Sequence, residues 1–120
     1  MKTKEGMIGY VKKVAETNNW ILNKDKETFS DLIDGLVENK KSYDYQSCPC
    51  RLASGKRDLD RDLICPCDYA PLDIKEYNAC YCNLYLKPKF YEKSKDFVTV
   101  PERRPVEKES AILEYFNQSK

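Results

Sequence analysis

The residues able to do chemistry in this 120-residue chain are its six cysteines, and all of them fall between positions 48 and 82. They come as three Cys-x-Cys pairs: Cys48-Pro49-Cys50, Cys65-Pro66-Cys67 and Cys80-Tyr81-Cys82. Fourteen residues separate the first pair from the second, and twelve separate the second from the third. Four such sulfurs would fill a tetrahedral metal site or an iron–sulfur cluster and leave two over, whereas all six would make three disulfides. The N-terminus lacks the apolar run of a signal peptide, and no stretch approaches the roughly 18 to 20 apolar residues of a membrane span. The expected compartment is therefore the cytoplasm, where thiols stay reduced, which speaks against three structural disulfides. The chain contains no histidine. Ser-His-Asp and Cys-His catalysis, Cys2His2 zinc and His-ligated haem are thus impossible within it.

Spacing narrows the choice further. Structural zinc usually takes Cys-x2-Cys or longer, because each knuckle must turn both thiolates onto one ion. With one intervening residue, neighbouring thiolates reach different irons of a cubane more easily than two corners of one zinc. The spacing favours a [4Fe–4S] cluster over zinc, with disulfides behind both. Two spare thiols beside a one-electron carrier suit thiol–disulfide exchange, which needs a thiolate favoured by a nearby cation or metal. Arg51 follows Cys50 and could favour its thiolate; the alternative is an ordinary surface ion pair with a nearby aspartate.

At these residues the chain resembles a known family. The order Cys-Pro-Cys-Arg, Cys-Pro-Cys, then Cys-x-Cys followed by Leu-Tyr-Leu is similar to the catalytic chain of ferredoxin:thioredoxin reductase. The upstream stripe Phe29…Leu32-Ile33-Asp34-Gly35-Leu36 fits too. The likeness covers roughly residues 5–90, and Val100-Pro101-Glu102-Arg103-Arg104 resembles the related reductases of archaea and anaerobic bacteria. The resemblance implies a flat, largely helical domain in which Cys48, Cys65, Cys67 and Cys80 bind the iron of a [4Fe–4S] cluster. Cys50 and Cys82 would then form the redox-active disulfide, Cys50 accessible to the substrate protein and Cys82 against the cluster. Such an enzyme converts single electrons from ferredoxin into two-electron reduction of thioredoxin or a similar protein. Plant-type reductases work with a second, variable subunit. The family's third pair usually encloses a histidine that assists proton handling, and here the position is Tyr81. With an unperturbed pKa near 10, tyrosine is a poorer neutral-pH base than histidine, near 6.5. Tyr81 is a candidate hydrogen-bond donor to a sulfur, with plain packing over the cluster as the alternative. For the whole chain, the alternative function is a zinc- or iron–sulfur-stabilised interaction or electron-transfer module without disulfide chemistry.

The elements that must position these cysteines read as mainly α, a small single domain over residues 1–120 with few or no short strands. Met7, Val11, Val14 and Ala15 stripe one face of a helix over 5–22, with a break at Asn18-Asn19 and Trp20-Ile21-Leu22 returning to the core. Asn23 or Asp25 can cap a second helix to about Lys40, carrying Phe29, Leu32, Ile33, Leu36 and Val37. Residues 42–47 lead as a loop into the cysteine core, 48–82. Within that core, 57–64 reads as a short charged helix burying Leu59, Leu63 and Ile64, and Pro71 opens another through Asn78. Residues 83–86 and 97–100 have extended character. The C-terminal extension, about 101–120, reads as a charged irregular linker over 101–109. It closes with a helical stripe of Ile112, Leu113 and Phe116.

Charge excludes some partners. Lys+Arg number 21 against 20 Asp+Glu, so no global field points to nucleic acid or a membrane surface. Leu, Ile, Val and Phe together number 26 of 120 residues, a lean core that a bound centre would help to fix. Lys87, Lys89, Lys93 and Lys95 form a local basic stretch that could steer an acidic ferredoxin, or simply face solvent. Among nine tyrosines, Tyr43, Tyr45, Tyr69, Tyr77 and Tyr85 flank the cysteine pairs, suited to shielding, docking or packing.

Overall fold

The computed structural model describes residues 2–93 and 97–118. Six helices and one two-stranded sheet follow in order: α1 (Lys4–Asn18), β1 (Ile21–Leu22), α2 (Lys26–Tyr43), α3 (Arg57–Asp60), α4 (Ala70–Tyr77), β2 (Tyr85–Leu86), α5 (Phe90–Lys93) and α6 (Val106–Gln118). A 3-10 turn, Arg61–Leu63, continues α3. The chain is mainly α, as its sequence leads one to expect. Principal extents of 48 × 30 × 24 Å make it elongated rather than flat.

Local chemistry sets the helix ends. The Thr3 hydroxyl accepts from Gly6 N–H at 3.0 Å to start α1, and Asn19 ends it in the left-handed region at φ 58°. The helix therefore stops at Asn18 instead of reaching position 22, and Ile21–Leu22 becomes a strand. Asp25 caps α2 by accepting from Thr28 N–H at 3.0 Å. Lys40 and Lys41 sit in its last turn, where cations suit the negative helix end. Met7, Val11 and Ala15 from α1 and Leu32, Ile33, Leu36 and Val37 from α2 share one core with Cys48, Cys65, Cys67, Cys80 and Cys82. The sulfurs are thus packed by the periodic faces of both helices.

Three expectations are met only in part. In α3 and its 3-10 turn, Leu63 is buried, but Leu59 and Ile64 are half-buried and the deeply buried partners are Asp60 and Asp62. Asp60 is accommodated because it accepts from Ser54 N–H and Gly55 N–H, both at 3.0 Å, from the Ser54 hydroxyl and from Tyr45. Residues 97–100 form no strand. Instead, the Asn83 side chain takes both main-chain groups of Val98, donating to its carbonyl at 2.9 Å and accepting from its N–H at 3.0 Å. In α6, Ile112 is buried, whereas Leu113 is exposed.

Candidate metal and redox centre

Short backbone bridges hold the three cysteine pairs. Ser47 and Ile64 form an antiparallel bridge, in which Cys48 N–H donates to Leu63 O and Cys65 N–H to Gln46 O, each at 2.8 Å. The first and second pairs therefore enter the site side by side. A second bridge joins Ala79 to Leu86, with Cys80 N–H donating to Tyr85 O at 3.0 Å. Asn83 makes the intervening turn in the left-handed region, φ 61°. The β1–β2 ladder, Ile21 opposite Leu86 and Leu22 opposite Tyr85, anchors this third pair to the N-terminal part of the chain. Helix α2 lies so close to Pro49 that a Cβ on Gly35 would meet the proline Cβ at 2.7 Å. Only glycine lets the helix approach the first pair this closely.

The six sulfurs are not equivalent. Cys48, Cys65, Cys67, Cys80 and Cys82 are all 5–8% exposed, whereas Cys50 is exposed. The five buried cysteines line one pocket together with Leu32, Pro49, Ala70, Tyr81, Leu84 and Tyr85. Its empty volume is about 350 Å³, counting the open space at its mouth. Cys48 and Cys82 Sγ lie 2.9 Å apart, close enough for one thiol to donate to the other. Three of the remaining sulfurs have polar neighbours. Tyr85 N–H donates to Cys80 Sγ at 3.3 Å, Arg51 Nη1 donates to Cys67 Sγ at 3.4 Å, and Tyr85 Oη lies 3.5 Å from Cys65 Sγ.

Burial and hydrogen bonding separate the thiols electrostatically. Desolvation pushes Cys65 and Cys67 up, and Cys80 up to about 12. Hydrogen bonding with Cys50 pushes Cys48 up to about 11, and bonding with Cys48 and Cys50 raises Cys82. Cys50 is pulled down to about 4, chiefly because the Cys48 and Cys82 thiols donate to it. The Arg51 charge contributes less to this shift than its neighbouring position leads one to expect.

Arg51 is directed elsewhere. Its side chain is only 3% exposed and its partner is Glu102, not an aspartate. Nε and Nη2 form a fork on that carboxylate at 2.8–3.1 Å. The guanidinium lies 4.2 Å from the Tyr81 ring centroid and 5.2 Å from that of Tyr69. Burial pushes the Glu102 carboxyl up, but the Arg51 hydrogen bonds outweigh it and hold the group below the usual carboxylate range. Sequence reasoning missed Glu102 because it sits in a charged run that reads as a linker. That run, 102–104, is instead a strap. Arg103 pairs with Asp73 at 2.7 Å and with Glu76, and Arg104 pairs with buried Asp62 at 2.8 Å and donates to Leu59 O at 3.0 Å.

Comparison with known proteins decides the family. The model of the ferredoxin thioredoxin reductase catalytic beta chain matches residues 1–111. The chain belongs to that family. The ferredoxin-thioredoxin reductase catalytic chain, chloroplastic, of Arabidopsis thaliana is 36% identical over 66 residues, or 53% of this chain and 42% of the relative. The chain thus spans less than half the length of that curated relative. Among the described residues, no helix is long and apolar enough to cross a membrane.

For a ferredoxin thioredoxin reductase catalytic chain, the donor set fits an iron–sulfur cluster. Five buried cysteines, Cys48, Cys65, Cys67, Cys80 and Cys82, line one largely apolar pocket, with N–H donors on the Cys67 and Cys80 sulfurs. Buried thiolates in such a site need metal charge or hydrogen bonds, and N–H···S contacts of this kind tune clusters. Among the described residues, no three His, Cys, Asp or Glu side chains are grouped so as to hold a single metal ion. Tyr81 lines the pocket, its ring centroid 4.2 Å from the Arg51 guanidinium. Desolvation raises its hydroxyl pKa, so it stays protonated near neutral pH. Tyr45 and Tyr85 are buried, the first with its hydroxyl on Asp60 and the second with its hydroxyl 3.5 Å from Cys65 Sγ, while Tyr43, Tyr69 and Tyr77 are half-buried. Of the basic stretch, Lys87 and Lys89 are exposed, whereas Lys95 and the Lys93 side chain lie outside the described residues.

Proposed function

We propose that this chain reduces a protein disulfide, with ferredoxin as electron donor and thioredoxin or a thioredoxin-like protein as substrate. Cys48, Cys65, Cys67 and Cys80 would hold a [4Fe–4S] cluster, leaving Cys50 and Cys82 as the redox-active pair. The observation that carries the reading is the placement of the sulfurs: five line one buried pocket and Cys50 alone is exposed. The cluster, when bound, supplies electrons singly from ferredoxin. The thiol chemistry belongs to the chain. The Cys50 thiolate attacks one sulfur of the substrate disulfide, forming a mixed disulfide and releasing the other substrate sulfur as a thiolate. Cys82 then attacks the Cys50 sulfur and releases the second substrate thiolate. The substrate gains two electrons, and Cys50 and Cys82 lose them in forming their disulfide. Two ferredoxin electrons and the accompanying protons restore both thiols. Thiols that must return to the reduced state suit a reducing compartment such as the cytoplasm.

The test follows free thiols on oxidised thioredoxin mixed anaerobically with reduced ferredoxin and catalytic amounts of the protein. Wild type should generate two thiols per thioredoxin disulfide, and Cys50→Ser should generate none above background. Equal rates for the two proteins would refute the role given to Cys50.

A further inference from the structure

The Arg51 guanidinium is a buried cation, each of whose three nitrogens has a partner. Glu102 takes the Nε and Nη2 edge at 2.8–3.1 Å, and Tyr81 and Tyr69 lie 4.2 and 5.2 Å from it. The nitrogen left over, Nη1, donates to Cys67 Sγ at 3.4 Å. Glu102 is itself fixed, since its Oε1 accepts the Arg104 N–H at 2.8 Å and Arg104 is anchored on Asp62. A fork on one edge defines the orientation of the whole planar group, and so aims Nη1 at the sulfur.

We propose that Arg51 is a positioning residue that sets the reduction potential of the cluster through its N–H bond to Cys67, with Glu102 of the C-terminal strap holding it in place. The inference rests on the cluster assignment above. A positive charge and an N–H donor beside a ligating sulfur stabilise the more negative, reduced state and raise the potential. With the Arg51 side chain only 3% exposed, water screens this effect weakly. Tyr81 covers one face of the guanidinium and helps to exclude water from it. The strap is then part of the redox site, although it lies about twenty residues beyond the last cysteine.

Wild type, Arg51→Gln and Arg51→Lys are compared after anaerobic cluster reconstitution. Iron and sulfide content, cluster midpoint potential and melting temperature are measured for each. Arg51→Gln loses the charge and the fork, and its potential should fall below that of wild type. Arg51→Lys keeps the charge without the fork, so its fall should be smaller. A merely structural arginine would lower the melting temperature and leave the potential alone. A fully loaded Arg51→Gln protein with the wild-type potential overturns the inference. If Arg51→Gln takes up no cluster, Arg51→Lys decides, and an unmoved potential there overturns it equally. Wild type without iron and sulfide overturns the cluster assignment itself and the inference with it, whereas loaded proteins with equal potentials overturn the inference alone.

Discussion

Replacing Arg104 with methionine tests whether the C-terminal strap is built into the fold. Arg104 and Asp62 are paired at 2.8 Å with side-chain exposures of 1% and 4%. Removing one member of a buried pair costs about 3–5 kcal/mol, because the other charge is left without its partner. Two features place this case at the low end. Tyr69 still donates to Asp62 at 2.6 Å, and half-exposed Lys108, at 3.9 Å, can move closer. The Leu59 carbonyl also loses a donor, worth about 1 kcal/mol. A total of about 3–4 kcal/mol is a large share of the roughly 5–15 kcal/mol that stabilises a domain. At about 4 °C per kcal/mol for a chain of this size, melting should fall by roughly 12–16 °C. The double variant Asp62→Leu/Arg104→Met removes both charges and should recover most of the loss. The assay is thermal unfolding by circular dichroism under anaerobic conditions. Burial raises the Asp62 carboxyl, but Arg104 and Tyr69 outweigh it and hold it below its usual value. The contribution is therefore complete above about pH 4 and is lost as pH falls through the depressed folded value. The gap between wild type and Arg104→Met should close with acid. A single-variant loss below about 1 kcal/mol, as for exposed pairs, would refute the reasoning.

Gly35→Ala should destabilise despite alanine's better helix propensity, worth about 1 kcal/mol. Its Cβ meets the rigid Pro49 ring at 2.7 Å, an overpacking cost of about 1–3 kcal/mol; urea unfolding reads the sum, and a stabilised variant would contradict the close approach. Asp60→Asn turns one acceptor oxygen into a donor facing Ser54 and Gly55 N–H groups. It should cost about 2–3 kcal/mol by urea unfolding and expose the loop before α3 to proteolysis. Alkylation of the reduced protein with one equivalent of iodoacetamide should modify Cys50, identified by peptide mapping, because the other five sulfurs are buried; label spread evenly over the six would contradict that burial.

The periodic helices and the cysteine pairs were legible in the sequence, because spacing alone reports a helix face or a thiolate cluster. Met7, Val11 and Ala15, and likewise Leu32, Ile33 and Leu36, turn inward as their spacing requires. What escaped is pairing at long range. Asp62 and Arg104 are 42 residues apart, and Arg51 and Glu102 are 51 apart, so each reads as a solvated charge until folding joins them. The same limit hid Asn83, whose side chain takes the main-chain groups of Val98 and leaves 97–100 outside the sheet. That Cys50 is the sulfur facing solvent was anticipated, but through the family resemblance and not through spacing, which treats the six alike.

Iron and acid-labile sulfide content, measured on anaerobically purified wild type, Cys65→Ser and Cys50→Ser, tests the division of the cysteines into four and two most directly. The account predicts about four iron and four sulfide per chain in wild type and Cys50→Ser, with both lost from Cys65→Ser. Colourless wild type holding zinc without sulfide would contradict it, as would a Cys65→Ser protein that keeps its iron while Cys50→Ser loses it.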